Sequence, residues 1–234
     1  GEHSIQVAAR RLQRRRLDQE TGVREPPVDP DQPADMLELF YREARAAAAL
    51  NHPAIVTIYD LGAIGGRPFI SMELVDGEDL LQLTGRCGPL GIGEAIWVAV
   101  QAAAALDFAH SRGVVHRDIK PGNLMVSTEG ALKVMDFGLA LLLRRQDSES
   151  TVSGTPAYMS PEQLAGMSLD ARADVFSLAA SLYELLTGRL PFEGFDRENT
   201  PPDPAGLRPD IPPGVSAAIV AAWAQVDAVL QQRA

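Results

Sequence analysis

Lysine is nearly absent from this chain. Its 234 residues include only two, Lys120 and Lys133, against nineteen arginines, and none precedes Lys120. Any ammonium group needed in the first half must therefore be replaced by a guanidinium. Basic charge is scarce overall: the formal net charge is −10, which excludes a general polyanion binder and so predicts no nucleic-acid partner. The arginine-rich stretch VAARRLQRRR at residues 7–16 does not change that balance. With a single cysteine, Cys87, there is no internal disulfide, and a half-buried inert thiol is expected. The first 20 residues hold no apolar core of signal-peptide length. The longest apolar stretch, residues 95–106, is interrupted by Gln101 and too short to span a bilayer. The expectation is a soluble cytoplasmic protein with no membrane segment and no internal repeat.

What is present suffices for a packed core, since 46% of the residues are hydrophobic. Alternation at residues 4–12 predicts a short strand, whereas the acidic, proline-rich residues 18–35 predict a loop or insertion. Helical spacing of Leu39, Glu43, Ala46, Ala47 and Leu50 predicts a helix over 36–50, closed by Asn51-His52-Pro53. Strands are predicted at 54–60 and 68–75, with a glycine turn at Gly65-Gly66. Helices are predicted at 94–111, 171–187 (capped by Gly188) and about 215–231, with a small hairpin at 124–126 and 132–134. Strands first and helices later indicate an α+β fold with two unequal lobes, here 1–75 and 76–234.

Four segments in the middle carry chemistry: HRDIKPGN (116–123), DFG (136–138), GTPAYMSPE (154–162) and DVFSL (174–178). Each is weak alone, but their order and spacing leave little room for coincidence. From about Glu43 to Phe192 the chain resembles the eukaryotic-type (Hanks-type) Ser/Thr protein kinases, and its wording is most similar to their bacterial members. The resemblance implies a protein-kinase-like fold with a truncated N-terminal β lobe. It implies ATP with Mg²⁺ (Mn²⁺ as an alternative) and protein substrates with Ser or Thr acceptors. Phosphoryl transfer needs positioning and charge neutralisation above all. By resemblance Asp118 orients the acceptor hydroxyl and takes its proton, and Lys120 holds the γ-phosphate. Asn123 and Asp136 are then the metal ligands. The resemblance further places adenine against the backbone of Glu73 and Val75, above Leu124 and near Ala8. His116 and Phe137 become a structural stack, Asp174 an anchor of the catalytic loop, and Arg117 a binder of phosphate on the loop bearing Ser148, Ser150, Thr151 and Ser153. Asp79 serves either the ribose or a turn.

The pattern breaks in three places. No glycine-rich loop precedes the nucleotide-binding strand. That strand's lysine is missing: VAIK aligns with Val7-Ala8-Ala9-Arg10, which sets Arg10 opposite the helix glutamate Glu43. Arginine's planar fork does not place phosphate as a compact ammonium does. The C-terminal part is abbreviated after residue 194, and no late arginine matches the one that pairs with the SPE glutamate, here Glu162. The leading expectation is a Ser/Thr protein kinase domain of weakened activity. A catalytically inert kinase-like binding or scaffold module, and an incomplete kinase fragment, remain open beside it; oligomeric state is not readable.

Overall fold

A computed structural model of the chain describes residues 23–24, 34–64, 67–137, 156–192, 194, 197 and 200–231. Ala8, Arg10, the expected strand at 4–12 and the serines and threonine of the activation loop lie outside these residues, as does the Gly65-Gly66 turn.

The first sheet holds β1 (Val23–Arg24), β2 (Ile58–Ile64) and β3 (Arg67–Met72), antiparallel in the order β1-β3-β2. β1 falls inside the stretch expected to be only a loop. Two residues are too few to show alternation, so their strand character comes from pairing: Val23 is opposite Ser71 and Arg24 opposite Ile70. The helix α1 (Ala34–Ala48) starts two residues before its expected position and packs on this sheet. Ala44, Val56, Ile70 and Met72 form the small core between them.

The strand expected at 54–60 is shifted. Residues 54–56 instead dock on the second sheet, where Val56 N–H donates to Val134 O (3.0 Å) and Val134 N–H to Ala54 O (2.8 Å). The ladder with β3 starts only at Ile58, and its register slips between Ile58 and Asp60. This docking ties the first sheet to the second, made of β4 (Gly77–Asp79), β5 (Leu124–Ser127) and β6 (Leu132–Val134). Gly77 must be glycine there, since a Cβ would lie 2.2 Å from the Val126 carbonyl oxygen.

After β4 come α2 (Leu80–Cys87) and α3 (Ile92–His110). α3 has 19 residues and is by length and composition apolar enough to cross a membrane, a correction to the shorter reading. It packs on α5, and Ala95, Val98, Ala102, Ala105, Leu106 and Ala109 place one stripe of it in the main core. A short α4 (Pro161–Leu164) precedes α5 (Ala171–Thr187), the most buried helix, which spans the predicted range. It ends at Gly188 in the left-handed region (φ 70°), whose N–H donates to Glu184 O at 2.7 Å. α6 (Pro204–Leu207) and α7 (Pro213–Gln231) follow, and α7 lies against α5. Cys87 is exposed, not half-buried, because α2 ends there at the surface.

Candidate active site

The site is built on the loop between α3 and β5, and its geometry follows from a few buried polar groups. Asp174 is fully buried on the first turn of α5. Its Oδ2 accepts from the His116 N–H at 2.8 Å, and its Oδ1 from the Arg117 N–H at 2.7 Å. A third bond joins Oδ2 to His110 Nε2 at 2.7 Å. A buried carboxylate is costly unless its lone pairs are filled, so these bonds both stabilise Asp174 and fix the loop backbone. They hold Arg117 at φ 70°, a conformation non-glycine residues seldom adopt.

His116 has no exposed surface. Its Nδ1 accepts from the Asp118 N–H (3.2 Å) and its Nε2 donates to Met135 O (2.7 Å). A backbone amide only donates and a carbonyl only accepts, so the ring is the neutral Nε2–H tautomer. Burial lowers its pKa below 6.5 despite the opposing charges of Asp174 and Asp118. The ring lies 4.5 Å from that of Phe137, centroid to centroid, and so the loop is packed against the DFG segment.

These supports bring Asp118, Lys120 and Asn123 together. Lys120 Nζ donates to Asp118 Oδ2 at 2.7 Å. Asn123 Nδ2 donates to Asp118 O (2.7 Å) and Oδ2 (3.0 Å). That orientation spends the amide NH₂ on Asp118 and leaves Asn123 Oδ1 as the acceptor. The Met135 N–H donates to Asn123 O at 2.9 Å, which sets Asp136, the next residue, beside Asn123. Asp136 itself sits at φ 63°, the second positive-φ non-glycine in the described residues. An amide oxygen and a carboxylate suit Mg²⁺, which is held by one or two protein oxygens together with substrate phosphates. The donor set fits.

Glu73 follows β3 directly. Its N–H is committed to Thr57 O at 2.8 Å, so its carbonyl is the group left for a ligand. The side chain is held by Lys133, whose Nζ lies 2.7 Å from Oε1, and by the Thr57 N–H at 3.2 Å to Oε2. Burial raises the Glu73 pKa, but Lys133 and Thr57 outweigh it and the carboxyl titrates below its usual range. Val75 is half-buried against the small core, Leu124 is fully buried at the start of β5, and Asp79 caps α2 by accepting from Gln82 N–H at 2.9 Å.

Glu43 on α1 accepts from Arg117 Nη1 at 2.8 Å. Arg10, its expected partner, lies outside the described residues.

Sequence reasoning missed three supports. Gln163 on α4 donates from Nε2 to the Arg117 carbonyl at 2.7 Å while its Oε1 accepts from Ser160 N–H at 3.0 Å. The Ser160-x-x-Gln163 spacing is a capping-box signature that points to the second bond. His110 bonds Asp174, with no local signal beyond its place at the end of α3. Arg197 donates to the carbonyls of Pro156 and Met159, bracing the SPE segment, and lies over the Phe192 ring. It stands in a proline-rich run with no periodicity to mark it.

The model of the protein kinase domain family matches residues 24–202. Among known proteins, the chain is 48% identical to the Ser/Thr-protein kinase PknB of Mycobacterium leprae over 162 residues, 66% of this chain and 26% of that protein. It is 43% identical to PknB of Mycolicibacterium smegmatis over 203 residues, 80% and 32% of the two chains. Similarity extends to the Ser/Thr-protein kinase pkn3 of Myxococcus xanthus, 43% identical over 190 residues, 73% of this chain and 35% of that one. The chain thus spans about a quarter to a third of the length of these curated relatives.

Proposed function

The chain belongs to the protein kinase domain family, and on that premise we propose that it transfers the γ-phosphoryl group of ATP to Ser or Thr hydroxyls of protein substrates, on the cytoplasmic side of the cell. The observation that carries this reading is the bonded set Asp118–Lys120–Asn123, held from below by Asp174. Residues 1–75 serve as the smaller, nucleotide-covering lobe and 76–234 as the catalytic lobe.

The acceptor oxygen forms a bond to γ-phosphorus as the bond from γ-phosphorus to the bridging oxygen breaks, releasing ADP. Asp118 orients the hydroxyl and takes its proton. Lys120, now paired with Asp118, neutralises charge on the transferring group. Asn123 Oδ1 and the Asp136 carboxylate would hold the divalent ion, Mg²⁺ or Mn²⁺, which screens the phosphates when bound. The Glu73 carbonyl and Val75 backbone bind the adenine edge, with Leu124 under the ring. Glu43 keeps α1 in place.

The test is transfer of labelled phosphate from Mg·ATP to a generic basic protein substrate, with Asp118→Asn as control. Label incorporation that vanishes in the variant supports the reading. No incorporation, with no rise in melting temperature on adding Mg·ATP, overturns it and favours an inert kinase-like module.

A further inference from the structure

Gln163 is almost fully buried, at 7% exposed, on the four-residue α4, and its amide is used in both directions. Oε1 accepts from the Ser160 N–H at 3.0 Å, and Nε2 donates to the Arg117 carbonyl at 2.7 Å. The partners determine this orientation, since a backbone N–H only donates and a carbonyl only accepts. Closing the capping box at the start of α4 takes only the oxygen, which a glutamate side chain supplies as well. The NH₂ is what glutamine adds, and it goes to the catalytic loop, 46 positions back along the chain.

That bond falls at a sensitive point. The Arg117 carbonyl belongs to the peptide unit whose N–H is that of Asp118. Gln163 holds this unit at its oxygen, and His116 Nδ1 holds it at its N–H, at 3.2 Å. The preceding unit is held by Asp174 Oδ1, which accepts from the Arg117 N–H at 2.7 Å. Arg117 lies between the two units at φ 70°, and such a backbone persists only where its surroundings over-determine it. Rotation of the 117–118 unit swings the Cα–Cβ bond of Asp118 and its carboxylate with it. α5 anchors both sides of the arrangement: Asp174 holds the loop, and Ser177 Oγ, one turn on, lies 2.8 Å from the Tyr158 carbonyl. Gln163 closes the ring by joining the segment around Tyr158 and Ser160 to the loop. We propose that Gln163 is a positioning residue for phosphoryl transfer, which aims the Asp118 carboxylate by holding the carbonyl of the peptide ahead of it. The assignment rests on the kinase reading above.

Gln163→Glu separates aiming from capping. Its carboxylate keeps the shape and accepts from Ser160 but has no proton to donate to Arg117. The full chain and the variant are compared at pH 8 with the generic basic protein substrate, by single-turnover transfer, steady-state kinetics and a Mg·ATP titration. The single-turnover rate is expected to fall about tenfold, while the Kd for Mg·ATP and the KM for the protein substrate stay within about twofold of wild type. Retained Mg·ATP binding reports an intact fold. Gln163→Met, similar in length and uncharged, is expected to show the same split, and it decides on the same criteria where Gln163→Glu does not fold. A wild-type rate overturns the assignment and leaves Gln163 a cap. A loss carried by Kd or KM overturns it too, since aiming acts on the chemical step. An unmodified chain that transfers no phosphate overturns the kinase reading and the assignment with it.

Discussion

Arg117 and Glu43 form an ion pair, Nη1 to Oε2 at 2.8 Å, that joins the catalytic loop to α1 across 74 positions of chain. Both side chains are about one-fifth exposed, at 21% and 19%, so solvent screens the pair less than a surface bridge. The backbone of Arg117 is pinned by Asp174, and its side chain reaches the helix. Helix position is thereby coupled to the loop that carries Asp118. A double-mutant cycle with Arg117→Met and Glu43→Gln is expected to give a coupling of about 1–2 kcal/mol in thermal unfolding. Additive losses would show that the pair contributes nothing.

Asp118→Asn keeps the shape and the bond network but removes the proton acceptor. Phosphate transfer is expected to fall by about 10²–10⁴-fold, with Mg·ATP affinity changed less than about threefold. Rapid-quench measurement of a single turnover, beside a binding titration, separates the two quantities. Equal loss in both would place Asp118 in binding instead of chemistry.

Both lysines of the chain stand on a carboxylate next to the candidate site: Lys120 on Asp118 and Lys133 on Glu73. Lys133 touches both oxygens of Glu73, at 2.7 and 2.9 Å, and so braces the peptide proposed above to meet adenine. Lys133→Met is expected to raise the Kd for adenosine and for Mg·ATP alike, about three- to tenfold, with kcat near wild type. Lys133→Arg restores charge but not the compact fit, and is expected to recover only part of the affinity. Unchanged adenosine binding in Lys133→Met would remove Lys133 from the site.

The catalytic loop was legible because its chemistry is local: Asp118, Lys120 and Asn123 bond one another within one short motif. The helices were legible because their apolar spacing is long enough to count, and α5 even ends at the glycine its left-handed cap requires. What escaped were partners brought in from far along the chain, such as His110 and Gln163, which meet the site across 64 and 46 positions. Chain spacing carries no record of such a contact. β1 escaped for another reason. Its two residues lie in a proline-rich stretch, and only pairing with β3 makes them a strand.

His116 gives the fold a pH dependence whose sign is fixed by its burial. The folded ring is neutral, with a pKa below 6.5. Below about pH 6.5 the unfolded chain therefore binds a proton that the folded chain does not. Stability falls as pH falls, by at most about 1.4 kcal/mol per pH unit from this group, until the folded pKa is passed. Thermal unfolding between pH 7 and 5.5 is expected to show this decline. His116→Gln is expected to be less stable throughout and to lose one proton's share of the slope. An identical slope in the variant would assign the dependence to other groups.

Glu162 is the counter-case to Asp174: its Oε2 is buried with no hydrogen-bond partner among the described residues. Arg172 is close enough to feel its charge, but the guanidinium is bonded to Asp170, with Nε at 3.0 and 3.1 Å from its two oxygens. Arg197 donates to the backbone carbonyl of Met159. Among the described residues this buried oxygen thus loses hydration without a cation bonded to it. Glu162→Gln removes the charge and keeps the shape. It is expected to stabilise the chain by up to about 1 kcal/mol, a rise of about 2–4 °C in Tm. The neighbouring Gln163→Leu provides the contrast, since it removes the bonds to the Arg117 carbonyl and the Ser160 N–H and is expected to cost about 1–3 kcal/mol. Calorimetric unfolding of both variants decides the matter, and a fall in Tm for Glu162→Gln would mean that the carboxylate has a favourable partner after all.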